Sequence, residues 1–322
     1  MDVSQPTAPE PDVRQEPPQS SRLPWPQLAA ITIGIVLALM VSGGGAAAVW
    51  GKAAGMFSQQ RPAPASAVSV DRELDRQKPQ QQAEILLERA VTRADEAAPQ
   101  IAAQIEARSD GWRGKLHWDS KLGDLTTVAL NSSDYGVRSS AIEVQLAAYG
   151  LSKNASSVDA LVRQADSRDH AQKIWALWGL GLLGNRGVET GRVVQVLTAH
   201  LQLSGKDSSK ASEEDSRRWA VEGLALVGTT STIAPLLEAM HNDPSAMVRE
   251  RAACSLAESG MLSHDQRLIA VPQLINYSSD PALDAQTRAW AFQALGDITK
   301  QRLPNDSAAW RAWYQTTVVS GQ

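Results

Sequence analysis

A single cysteine, Cys254, among 322 residues leaves no partner for an intrachain bridge. That excludes a disulfide-stapled fold, although one thiol fixes no redox compartment. Basic residues are not in excess, with 31 Lys and Arg against 35 Asp and Glu and a net charge of -4. Nothing therefore drives counterion release from a phosphate backbone, and nucleic acid is excluded as a partner class. Catalytic signatures are missing as well: there is no H-E-x-x-H pair, no G-x-S-x-G elbow and no P-loop. His117, His170, His200, His241 and His264 are scattered, with no cysteine cluster to complete a metal site. We expect no enzyme, no metal and no cofactor. Gly179-Leu180-Gly181-Leu182-Leu183-Gly184 spells G-x-G-x-x-G. A dinucleotide fingerprint needs a strand before it and a helix after it, whereas this run sits late in a helical pattern.

What is present changes sharply along the chain. Residues 1–26 are rich in Pro, Gln and Ser and read as a disordered tail, because too little apolar surface is available to offset ordering. From Gln27 to Trp50 no residue is charged. A helix over that stretch is roughly 36 Å long, enough for a hydrocarbon core of about 30 Å. Trp25 and Trp50 bracket it as interfacial anchors do. Residues 27–50 are thus expected to form one transmembrane helix in contact with the lipid bilayer. The competing reading is a cleaved signal peptide, with Leu28 to Val41 as its apolar region and Ser42 to Ala48 as the small-residue run. Arg14 and Arg22 on one flank balance Lys52 and Arg61 on the other, so charge does not orient the span. Residues 51–78 read as a flexible linker, which favours a single-pass membrane protein with its folded domain held outside the cytoplasm.

Helical periodicity begins at Pro79. Leu87, Val91, Ala94, Ala98, Ile101 and Ile105 advance in steps of four and three, one apolar stripe of a lead-in helix over 79–108. Residues 109–322 then carry a repeat, visible when Leu146, Leu180, Leu224, Leu256 and Leu295 are aligned. Their spacings are 34, 44, 32 and 39 residues. Lys173, Arg217, Arg249 and Arg288 lie seven residues before the last four, and Ala176, Ala220, Ala252 and Ala291 lie four before. A small residue follows each leucine, and Gly150, Gly184, Gly228 and Gly260 lie four after the first four. Leucine and alanine four apart share a helix face, small residues permit close helix contact, and the glycines are expected to end helices at positive φ. Asp134, Asp169, Glu213 and Asp284 fall where an acid caps a helix or opposes its dipole. Segments such as Val158 to Ala165, Ile233 to Met240 and Arg267 to Tyr277 supply the partner helix of each hairpin. Ser204 to Ser216 reads as a polar loop. Asp306 to Tyr314, with Trp310 and Trp313 on one face, reads as a terminal cap.

This register resembles the HEAT repeat family, and within it the PBS-lyase-like HEAT repeats, most clearly in Val248 to Ala257 and Thr287 to Gly296. The resemblance covers about residues 131 to 300. It implies an all-α, armadillo-like solenoid of about five repeats plus a C-terminal cap, preceded here by one transmembrane helix. It also implies scaffold or adaptor work through protein or peptide binding. Some relatives are iron-binding hydroxylases that use adjacent His-Glu pairs; no His-Glu dipeptide occurs here. The alternatives are a cofactor-handling member of the PBS-lyase-like group and a self-assembling component of the cell envelope.

Phe is scarce and Trp abundant, at two and ten residues. Trp175, Trp219 and Trp290 each lie five residues before an anchor leucine, and Trp178 lies one turn beyond Trp175. Stacked repeats would place them in a row, either wedged between repeats or exposed to a partner. Two residues before the leucines the column is mixed (Val144, Trp178, Glu222, Cys254, Gln293), which predicts partial exposure. Trp112 and Trp118 flank Arg113, Lys115 and His117 in a basic-aromatic segment that suits either lipid headgroups or a solenoid cap.

Overall fold

Short polar side chains start the helices in the computed structural model, which describes residues 73–92, 98–202, 211–258 and 260–319. The tail, the 27–50 span and most of the 51–78 linker lie outside the described residues. No described helix is long and apolar enough to cross a membrane. The described residues contain helices and no strand. The helices are α1 Pro79–Thr92, α2 Ala98–Trp112, α3 Ser120–Leu130, α4 Tyr135–Ala148, α5 Ala155–Ala165, α6 His170–Asn185 and α7 Thr190–Leu201. They continue with α8 Ala211–Val227, α9 Ile233–Asn242, α10 Ala246–Ala257, α11 His264–Leu268, α12 Val271–Tyr277, α13 Ala285–Thr299 and α14 Ser307–Tyr314. Asp134, Asp169 and Asp284 each accept a backbone N–H from the first turn, at 3.1, 3.0 and 2.8 Å, and Ser245 does the same for α10. Glu213 instead lies inside the first turn of α8, so Ala211–Ser216 is helical and not loop.

Consecutive helices pair as hairpins, α3 with α4, α5 with α6, α7 with α8, and α9 with α10. All five anchor leucines and all four preceding alanines are buried. Each leucine therefore contributes the roughly 1.5–3 kcal/mol that goes with removing a large apolar side chain from water, and each alanine about 1 kcal/mol or less. The second helices of successive hairpins touch: α6 packs on α8, α8 on α10, and α10 on α13. The closest approach is at Gly181, where an added Cβ would lie 2.5 Å from the carbonyl oxygen of Gly223.

Four further details depart from the sequence expectation. The lead-in is two helices, not one; Pro99 sits in the first turn of α2, where its missing N–H costs nothing, and α2 runs on to Trp112. Gly150 and Gly228 do hold positive φ, at 74° and 59°, but Gly184 does not. It is packed inside α6, with Val193 and Val227 where its Cβ would be, and Gly187 at φ 80° takes the turn. The Arg267 to Tyr277 segment is split between α11 and α12, with Pro272 in the first turn of the latter.

The fourth departure concerns the first repeat. Residues of α2 and α4 meet in parallel order, Ala102 with Gly136, Ser109 with Glu143, and Gly114 with Ala147. Between α4 and α6 the order reverses: Leu146 approaches Gly179 while Tyr149 meets Trp175 and Glu143 takes Arg186. The N-terminal end of α4 passes α6 altogether, because the Tyr135 hydroxyl donates to Glu222 on α8 at 2.9 Å. The leucine of the first unit is aligned in sequence with the others, but its helix crosses theirs.

Candidate functional site

The exposed aromatic surface is built at the ends of short connections. Gln80 fixes the strip's first residue: its side chain accepts the His117 N–H at 2.9 Å and donates to the His117 carbonyl at 3.3 Å, holding the neighbouring Trp118 in place. Tyr149 is the C-cap of α4, followed by the left-handed Gly150, whose carbonyl accepts from Arg113 Nε at 2.8 Å. Trp118 and Tyr149 stack nearly parallel, with centroids 6.0 Å apart and planes at 14°. Tyr149 in turn meets Trp175 at 5.3 Å. Trp118 is 45 % exposed and Tyr149 57 %, so two of the three rings offer large faces to solvent. Burial of its other side pushes the Tyr149 phenol up from its ordinary pKa.

A second aromatic contact lies beside the first. Trp178 on α6 and Trp219 on α8 pack edge to face at 4.5 Å and 81°. Trp178 is buried and Trp219 half-buried, with the Arg218 guanidinium 4.6 Å from the Trp219 ring. Both indole N–H groups are buried without a hydrogen-bond partner among the described residues; edge-on packing offers such a donor an aromatic face. This pair is the wedge between repeats. Trp290 is half-buried on the core and meets no other ring among the described residues. The structure thus brings together Trp175 with Tyr149 and Trp178 with Trp219, and leaves Trp290 apart. Tyr149 carries no signal in the repeat register, and only the crossing of α4 over α6 brings it to Trp175.

The basic-aromatic segment also resolves into two roles. Trp112 is buried and its Nε1 donates to Gln82 at 2.8 Å, so it belongs to the lead-in core. Lys115, His117 and Trp118 remain exposed. The column two residues before the leucines is not uniformly half-exposed. Val144, Trp178 and Glu222 are buried, Cys254 is half-buried and Gln293 exposed.

Two buried carboxylates, Glu143 and Glu222, each gather a polar cluster. Glu143 accepts Ser109 Oγ at 2.9 Å and Arg186 Nε at 2.8 Å, and Lys153 Nζ lies 3.6 Å from it. Glu222 accepts from Tyr135, pairs with Arg251 of α10, and lies 3.7 Å from Arg138. Burial, and then the Glu222 charge, push the Tyr135 phenol well above its usual range. Burial likewise raises the Cys254 thiol, which keeps it protonated and a poor nucleophile. No group of histidine, cysteine and carboxylate side chains among the described residues is arranged to hold a metal ion.

The family match falls on the C-terminal repeats. Residues 207–296 match the family model of HEAT repeats. That stretch contains α8, α9, α10 and most of α13, and the match supports the HEAT repeat family for a helical-repeat chain. No curated protein matches. The crystal structure of an engineered protein is similar over 68 % of this chain and 96 % of its own, at 15 % identity and a TM-score of 0.31.

Proposed function

We propose that this chain is a membrane-tethered interaction scaffold, non-catalytic, whose helical repeats hold a protein or peptide partner. HEAT repeats generally serve interaction scaffolding, and the match at 207–296 supports that coarse reading. The finer reading rests on one observation: Trp118 and Tyr149 are stacked and exposed, and continue into Trp175. Large rigid rings offer contact area at little side-chain entropy cost, which is why they recur at binding hot spots. The tether in this proposal is the uncharged 27–50 stretch, with the repeats on the extracytoplasmic side.

The test is affinity capture of the tagged full-length protein from crosslinked native membranes, wild type beside a Trp118→Ala/Trp175→Ala variant checked for unchanged helicity. A partner captured by the wild type and lost in the variant supports the reading. A partner retained by the variant removes the aromatic row as the docking surface, and no partner in either sample overturns the scaffold itself. Carbonate extraction of the same membranes tests the tether: release of the protein into the soluble fraction would overturn it.

A further inference from the structure

Three ring donors of the exposed aromatic row have nothing to donate to. Trp118 Nε1, Tyr149 Oη and Trp175 Nε1 make no hydrogen bond among the described residues, whereas the buried Trp112 and Trp310 indoles donate to Gln82 at 2.8 Å and to the Pro304 carbonyl at 3.0 Å. The row is also fixed in place. Gln80 brackets His117, and the first turn of α3 supports the Trp118 indole, since a Cβ on Gly123 would lie 3.6 Å from its Nε1. Beyond Trp175 and Trp178 the half-buried Trp219 of α8 continues the apolar surface, and Arg218 closes it. The Arg218 guanidinium lies 4.6 Å from the Trp219 ring, reaches the sulfur of the exposed Met247 on α10 at 3.5 Å, and meets no carboxylate among the described residues. Trp175 and Trp219 share a register position on neighbouring helices, so with helix axes about 8–10 Å apart the path from Trp118 to Arg218 is about 25 Å at most.

We propose that this row, from Trp118 to Arg218, docks a proline-rich peptide of about seven or eight residues in the polyproline II conformation, with an acidic side chain where it reaches Arg218. The proposal rests on the aromatic-row reading above and names the chemistry of the partner. A matching ligand must bring acceptors for three ring donors, apolar surface for the ring faces, an anion for one cation, and few N–H groups of its own. A polyproline II segment does this, because it has no internal hydrogen bonds, its carbonyls point outward and its prolines carry no N–H. Its residues i and i+3 lie about 9 Å apart on one face, a spacing that suits Trp118 and Trp175, which are joined by the 6.0 and 5.3 Å steps through Tyr149. Aromatic-lined surfaces recognise such segments at little ordering cost. An amphipathic helix already uses its carbonyls internally and would cover the three donors without pairing them, which costs free energy. A neutral sugar brings as many donors as acceptors and nothing for Arg218.

Fluorescence anisotropy of the full-length protein in lipid nanodiscs tests the proposal, with fluorescein-labelled octaproline carrying two glutamates at either end and the same peptides with glutamines. The acidic peptides should bind saturably, one of them about two- to five-fold more tightly than its glutamine counterpart, and Arg218→Gln should abolish that preference. Trp118→Ala should weaken binding about ten-fold or more. Tyr149→Phe keeps the ring and loses only the hydroxyl, so it should weaken binding about three-fold or more at an unchanged melting temperature. No saturable binding of any proline peptide would overturn the proposal, as would affinities unchanged in both Trp118→Ala and Tyr149→Phe. Saturable binding of maltohexaose or of an alanine-rich amphipathic helix in place of the proline peptides would overturn it too. A partner captured from membranes through Trp118 and Trp175 by a protein that ignores every proline peptide would overturn the proline-rich ligand and leave the docking row standing.

Discussion

The carbonyl oxygen of Gly223 occupies the space where a side chain on Gly181 would begin, 2.5 Å from its Cβ position, and a Cβ on Gly223 would in turn meet the Leu177 carbonyl at 2.7 Å. Two backbones, not two side chains, form the α6–α8 crossing, so the usual rule for glycine in a helix is reversed here. In an open helix interior alanine is the better residue by about 1 kcal/mol. At Gly181 and at Gly223 we expect the opposite sign, a loss of about 1–3 kcal/mol for Gly→Ala, as overpacking costs in a close-packed interior. Urea unfolding followed by circular dichroism reads the difference; a stabilised Gly181→Ala would contradict the crossing.

Tryptophans that look alike in sequence should behave differently. Trp112 is buried and hydrogen-bonded to Gln82, so Trp112→Ala should cost about 3–5 kcal/mol. Trp118 is six residues away and 45 % exposed, with its stack on Tyr149 to lose, so Trp118→Ala should cost only about 1 kcal/mol. Thermal melts of the two variants check both values.

Arg217 and Asp243 form a two-point ion pair at 2.8 and 3.2 Å, with side chains only 5 % and 3 % exposed. Asp243→Ala would leave a buried guanidinium short of its carboxylate, and a loss of about 3–5 kcal/mol is expected. Replacing both residues with apolar ones of similar volume should recover much of it. Denaturant midpoints of the single and double variants give the comparison.

Two histidines should tilt stability in opposite directions with pH. Burial opposes charge on His241, but its hydrogen bonds to Asn242 and Asp280 and the Asp280 charge outweigh that, so its pKa is raised. Its contribution is full below the unfolded value of about 6.5 and fades as pH rises through the higher folded value. His200 is the reverse: burial lowers its pKa, Asp166 opposes and Lys173 adds to the lowering. Its stabilising effect holds above about pH 6.5 and is lost as pH falls through the depressed folded value. Melting temperatures between pH 5 and 8 should therefore show His241→Gln most damaging at the acid end and His200→Gln least damaging there. Parallel pH profiles for the two variants would refute the assignment.

Local rules wrote much of this fold into the sequence. The caps at Asp134, Asp169 and Asp284, the buried leucine and alanine registers and the Asp306-capped terminal helix with Trp310 inside all follow from spacings of three and four within one helix. The start of α8 at Ala211 was hidden, because its first turn is as polar as a loop. Gly184 was misread because a glycine that ends a helix and one that admits a valine have the same letter and the same register.

The sequence by itself determined the helical class, the hairpin unit and the residues that face a core, because each depends on neighbours within one or two turns. Only the tertiary structure decided that α4 crosses the later repeats, that Tyr149 joins Trp118 and Trp175, and that Glu222 is buried under Tyr135. Those contacts join residues 26 to 87 positions apart, or rings on separate helices. A repeat register fixes which face of a helix is apolar, but the angle at which one helix lies on the next is set by side-chain shape at the crossing, here Leu146 over Gly179.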